Sequence, residues 1–221
     1  MIIWRINAAY SSAPATRFRA VYPAFCIWRT AEINSTFTCG SPSRRVLTFG
    51  EIGQRNVLLL SSASVSDGDI ELAALAADAG WRVVLDQIDN PFGAMASDSK
   101  RFGVLRRTLL PSVHAITFAS RSIRNECVAN GFPAEKCHLA PVPNLSPADA
   151  KRAADWAHFR VFRFSPYGVL PVRKGWLSVS GIAENAEIPA GDPLSFGETA
   201  DERDCTSAWL TALKSETALA L

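Results

Sequence analysis

No apolar run in this chain approaches the roughly 20 residues that a membrane-crossing helix needs. Arg5 and Asn7 interrupt the apolar start, so a secretory leader is not expected, and the chain reads as cytoplasmic. The five cysteines (Cys26, Cys39, Cys127, Cys137 and Cys205) are odd in number and show no C-x-x-C spacing. That excludes a disulfide framework and a zinc site as starting hypotheses, and predicts buried thiols in a reducing compartment. There is no G-x-G-x-x-G and no Walker A sequence, so a tightly bound dinucleotide or a P-loop has no support. Nor does the formal net charge of +2 suggest nucleic acid.

What is present is an ordinary globular balance: 221 residues, 48% apolar and 20% charged, enough for one large domain or one domain with an incomplete second. Charge is unevenly spread. Arg5, Arg17, Arg19, Arg29, Arg44, Arg45 and Arg55 dominate the first quarter, while the next segment, to Asp98, is acidic. A basic first quarter suits a solvated face, or peripheral contact with anionic lipid or phosphate.

Hydrophobic patterning gives the organisation. Met1 to Ala9 predicts a first strand, and Phe18, Val21 and Phe25 a helix whose secure part Pro23 confines. Residues 30 to 55 yield only a strand near Val46 to Phe49. From Asn56 the rhythm is regular. A doubly buried strand (Asn56 to Ser61) is followed by a helix capped by Ser66 or Asp67 and closed by Gly80, then by a strand from Trp81 to Leu85. Next come a helix (Lys100 to Leu110), a strand (Val113 to Ala119), a helix capped by Ser120 or Ser122 and closed by Gly131, and a strand (Lys136 to Val142). Successive βα units predict an α/β fold, a Rossmann-like doubly wound parallel sheet. Pro147 to Ala157 reads as a helix and Phe159 to Phe164 as a strand. Beyond Ser165, Gly and Pro accumulate, and only Ala208 to Leu219 suggests a further helix on a loose tail. The division is therefore a Rossmann-like domain at 1–150 and an incomplete, partly disordered region at 151–221.

The strand that ends in Asp86-Gln87-Ile88-Asp89-Asn90 marks the candidate site, because open α/β sheets hold ligands outside the carboxyl ends of their strands. Asp89, and after it Asp86, are candidate catalytic carboxylates able to take a proton or place a hydroxyl. Without a third ligand they predict no metal. Ser12, Arg17 and Arg19 follow the first strand and, with Asn90, are candidate ligand-binding groups; the guanidinium forks suit phosphate or carboxylate. His114 and His138 read as core histidines, His158 as a surface one, and Ser120 as an N-cap, since the G-x-S-x-G of a nucleophile elbow is missing. The six tryptophans are scattered and form no visible sugar-stacking row.

Four segments resemble the N-terminal, acceptor-side domain of GT-B glycosyltransferases, in particular the large retaining family (glycosyl transferases group 1). They are Ser12 to Pro23 with its Arg17-Phe18-Arg19, Gly80-Trp81-Arg82-Val83-Val84-Leu85-Asp86, Asp86 to Asn90, and the strand-to-helix passage Val113 to Gly131, where His114 replaces the usual acidic residue. The resemblance implies transfer of a hexose from a nucleotide sugar, the donor substrate, to a glycan or lipid-linked acceptor, in a cleft between two domains. Lys174-Gly175 is similar to the basic entry of the donor domain, which makes Lys174 a donor-binding candidate. The family's E-x7-E pair has no counterpart among Glu184, Glu187, Glu198 and Glu202. The resemblance thus implies a chain that enters the donor domain and then stops or diverges, inactive alone. A non-catalytic glycan- or protein-binding module, or an unrelated flavodoxin-like domain, are the alternatives.

Overall fold

Along β1 (Ile2–Arg5) successive side chains alternate between two cores, Ile2 and Trp4 on one side and Ile3 on the other. The same split runs through β3 (Val57–Ser61), with Val57 and Leu59 opposed to Leu58 and Leu60, and through β4 (Arg82–Gln87), with Val84 opposed to Val83 and Leu85. Strands buried on both faces need helices on both faces. The computed structural model supplies them; it describes residues 1–6, 16–42, 44–50, 55–62, 65–87, 109–165, 168–171 and 198–214.

The remaining strands are β2 (Ser35–Gly40), β5 (Ala115–Phe118), β6 (Cys137–Leu139), β7 (Val142–Pro143), β8 (Val161–Ser165), β9 (Gly168–Pro171) and β10 (Thr199–Ala200). Parallel strands run in the order β8-β2-β1-β3-β4-β5-β6, β9 adds antiparallel beyond β8, and β7 pairs separately with β10. One face carries α1 (Tyr22–Ala31), α4 (Pro147–His158) and α5 (Glu202–Lys214). The other carries α2 (Asp67–Asp78), α3 (Arg121–Ala129) and a 3-10 helix at Arg44–Phe49. From β1 the chain steps first to β2 and then back across to β3, so the winding reverses between β1 and β3. In a sheet of this kind the reversal opens a crevice at the carboxyl ends of the strands.

The predicted doubly wound α/β sheet is present. Ser66 caps α2 in a reciprocal capping box with Asp69, and Gly80 follows the helix at φ 77°, where a side chain would be strained although the space around it is open. Two local expectations are corrected. The segment near Val46 to Phe49 is 3-10 helical, and the strand of that region is Ser35–Gly40. Thr36 and Thr38 are buried on the face opposite Phe37 and Cys39, so this central strand looks half-polar in sequence while facing no water. The first helix begins with a π turn at Arg17–Val21 and runs on through Pro23 to Ala31, so Pro23 does not confine it.

The described residues after 150 extend the same sheet and its helical cover. β8 pairs in parallel with β2, and α5 starts at Glu202, ahead of the predicted Ala208. Cys205, Thr206, Trp209, Ala212 and Leu213 form its buried stripe. Most of the helix predicted at Lys100 to Leu110 lies outside the described residues, as does the end of that predicted at Ala208 to Leu219. Four of the six tryptophans come together in space. Trp4, Trp28, Trp156 and Trp209 share one core, with Trp4 and Trp209 ring centroids 5.5 Å apart and those of Trp28 and Trp156 also 5.5 Å apart.

Candidate functional site

The carboxyl ends of the parallel strands gather the charged residues of the described core. Arg5 ends β1, Asp86 lies near the end of β4, and Arg17 and Arg19 come from the π turn ahead of α1. All four are buried. A π turn offsets successive side chains from the α-helical pattern and recurs at functional sites. Here it sets Arg17 and Arg19 in the interior at the start of a helix whose later turns carry the apolar core.

Arg19 and Asp86 form one buried ion pair. Arg19 Nε donates to Asp86 Oδ2 at 3.1 Å, and its Nη2 donates to Oδ1. Thr117 Oγ1 on β5 donates to the same Oδ1 at 2.7 Å. The third guanidinium nitrogen, Nη1, donates to the Ala140 carbonyl, and the guanidinium lies 4.9 Å from the centroid of the Trp209 ring. Among the described residues Asp86 therefore accepts three hydrogen bonds, which hold Arg19 and the end of β4 together. Arg17 is buried in the same turn, and its charge opposes the upward push that burial gives the Tyr22 phenol.

A second pair stands on the other side of the crevice. Arg5 Nε donates to Asp69 Oδ1 at 2.7 Å, and its Nη2 donates to the Gly40 carbonyl. Asp69 is also the third residue of α2, where its Oδ2 accepts from the Ser66 N–H at 3.0 Å and from the Ser66 hydroxyl at 2.7 Å. A carboxylate suits the positive end of a helix. Sequence reading took Arg5 only as a break in the apolar start and missed this role; its signal was a cation at a strand's carboxyl end. Trp209 and Thr117 were missed as well.

Among the predicted site residues the structure brings together Arg19 and Asp86, with Arg17 nearby in sequence. Ser12, Asp89, Asn90 and Lys174 lie outside the described residues. His114 stands just ahead of β5 instead of on a core strand, in part open to solvent, and its Nδ1 accepts the Val83 N–H at 3.1 Å. Burial, then Arg82 and Lys136, hold its pKa below the ordinary value. His138 is held down by burial, Arg82 and Arg124. Ser120 occupies the N-cap position of α3 without a side-chain cap bond; the carboxylate of Glu198 accepts the Arg121 N–H at 2.9 Å instead. Among the described residues no group of three or more potential ligands could hold a metal ion, and no helix is long and apolar enough to cross a membrane.

No protein-family model and no curated protein matches the chain. Part of it is similar to the crystal structure of a UDP-N-acetylglucosamine 2-epimerase, at 8% identity and a TM-score of 0.42, over 63% of this chain and 47% of that one. It is similar at 9% identity and a TM-score of 0.41 to a UDP-GlcNAc 2-epimerase from Neisseria meningitidis bound to UDP-GlcNAc, over 63% of this chain and 46% of that one. The chain thus spans about half the length of either structure. Likenesses of this strength carry no chemistry; the doubly wound fold rests on the strand order itself.

Proposed function

We propose that this chain forms the acceptor-side wall of a sugar-transfer site, where a hexose passes from a nucleotide sugar to a glycan or lipid-linked acceptor once a donor-binding domain faces it. The observation that supports this reading is the contact between Arg19 and Asp86, 67 residues apart in sequence. They belong to two of the segments that resemble acceptor-side glycosyltransferase domains, and they meet at the carboxyl end of the sheet. In this reading Arg19 fixes the end of β4, from which the chain continues to Asp89 and Asn90. Asp89 takes the proton of the acceptor hydroxyl as that oxygen bonds to the anomeric carbon and the nucleoside diphosphate leaves with its bonding pair. Ser12, Arg17 and Asn90 hold the acceptor, and Lys174 meets the diphosphate.

A second reading is a glycan- or protein-binding module without transfer. The pairing of Arg5 with Asp69 and of Arg19 with Asp86 favours it, since those charges already have partners inside the chain. Nucleotide release from UDP- and GDP-sugars, measured with and without glycan acceptors, separates the two. Transfer predicts acceptor-dependent release abolished by Asp89→Asn, whereas a binding module predicts saturable glycan binding, weakened by that substitution, with no release. Neither release nor binding would sink both readings.

A further inference from the structure

Away from the strand ends, an open groove of about 540 Å³ runs between the end of α1 and α5. Its size lies within the range of about 300–1,000 Å³ common to small-molecule sites. Thr30 lines one side; Arg203, Thr206, Ser207, Leu210 and Lys214 line the other. Their spacing places the α5 residues on one stripe of the helix, beside the stripe that carries Trp209 into the core. None of these residues belongs to either buried ion pair.

Two features set the groove apart from an ordinary polar surface. Thr206 is only 2% exposed, and its Oγ1 has no hydrogen-bond partner among the described residues. A buried hydroxyl left unpaired in a native fold calls for an explanation, and a polar partner entering from the groove supplies one. The neighbouring Thr211 hydroxyl, by contrast, is committed to the Ser207 carbonyl at 2.9 Å. Secondly, Arg203 and Lys214 are exposed and, among the described residues, have no ion-pair partner and no carboxylate beside them in the groove lining. Of the acids at the start of α5, Glu202 is held by Arg29.

We propose that this groove binds a sugar phosphate. Arg203 or Lys214 takes the phosphate, the hydroxyls of Thr206, Ser207 and Thr30 pair with those of the sugar, and Leu210 packs against its apolar ring face. The two cations are eleven residues apart, about 16 Å along the helix axis. A monosaccharide phosphate therefore engages one of them at a time. The site stands independently of the transfer reading, because the two use different residues.

The test uses the full chain with glucose 1-phosphate, glucose and inorganic phosphate as probes, followed by backbone amide shifts and calorimetry. Phosphatidylinositol vesicles carry a similar headgroup on a lipid. Glucose 1-phosphate is expected to shift the amides of Thr30 and of residues 203–214 saturably, and to bind more tightly than either glucose or phosphate alone. Arg203→Glu combined with Lys214→Glu is expected to weaken it about tenfold. Thr206→Val is expected to weaken it about threefold while leaving Tm unchanged or raised, since the hydroxyl it removes has no partner among the described residues. Binding to vesicles in preference to the free phosphate would identify the lipid-borne form of the same headgroup. The proposal is overturned by absent or non-saturable shifts, by shifts confined to the strand ends, by phosphate binding as tightly as glucose 1-phosphate, or by a Thr206→Val affinity equal to wild type.

Discussion

The two buried ion pairs look alike on paper and do different work. Arg5–Asp69 ties the end of β1 and, through the Gly40 carbonyl, β2 to the first turn of α2, where its carboxylate is simultaneously half of a capping box that local sequence already favours. Arg19–Asp86 ties together parts that local sequence leaves apart: the π turn, β4, β5 through Thr117, the Ala140 carbonyl and, through Trp209, α5. One pair fastens a helix end that already has its own cap, whereas the other is a hub of the tertiary structure. The difference teaches that a buried charge pair is best judged by how many elements depend on it.

That contrast predicts a ranking. Removing one partner of a buried pair strands the other charge, at a cost of about 3–5 kcal/mol. Arg19→Met should fall at the upper end of that range, or fail to fold, and should exceed Arg5→Met in urea denaturation. Equal losses would erase the distinction between hub and junction. Next, Trp209→Ala should cost about 3–5 kcal/mol from the cavity left in the tryptophan core. In a double-mutant cycle with Arg19→Met it should also couple by about 0.5–2 kcal/mol, the contribution of guanidinium over indole. Additive losses would show that α5 packs beside Arg19 without supporting it.

Smaller effects sharpen the local side of the comparison. Ser66→Ala should cost about 1 kcal/mol through the lost cap. Ser120→Ala should stay within about 0.5 kcal/mol, because Ser120 makes no cap bond and Glu198 supplies one instead. Comparable losses at the two positions would count against the assigned caps.

The smallest effect is a pH dependence from His114 and His138. Burial first, and nearby cations second, lower both folded pKa values. The unfolded chain, with values near about 6.5, therefore takes up protons first as pH falls. Stability from the neutral imidazoles is fully present above that value and is lost as pH drops through the lower folded pKa values. His114 also loses its bond from the Val83 N–H when Nδ1 is protonated. NMR titration should find both histidines titrating below their unfolded values; a raised value at either would contradict the assignment.

Much of the fold was legible because periodic patterns report burial directly. Val57 to Leu60 reads as a doubly buried strand and is one, and Ser66, Asp69 and Gly80 mark the two ends of α2. Ser35–Gly40 was illegible, since its threonines are buried by neighbours that only the fold supplies. The start of α5 was obscured for a related reason. Glu202, Arg203 and Asp204 resemble a solvated loop until Cys205 and Trp209 find the core. At the site, Asp86 and Arg19 were picked out individually, but nothing in either segment says that they pair.

By itself, then, the sequence determined the alternation of strands and helices, the caps that punctuate them and the acidic end of β4. These depend on residues close together in the chain, where propensity and hydrogen bonding act without help. Tertiary structure decided the rest. It placed α5 over the sheet, gathered four distant tryptophans into one core, and spent Asp86 on Arg19. Each of these requires chain segments tens of residues apart to exclude water from the same space, and only a completed fold does that.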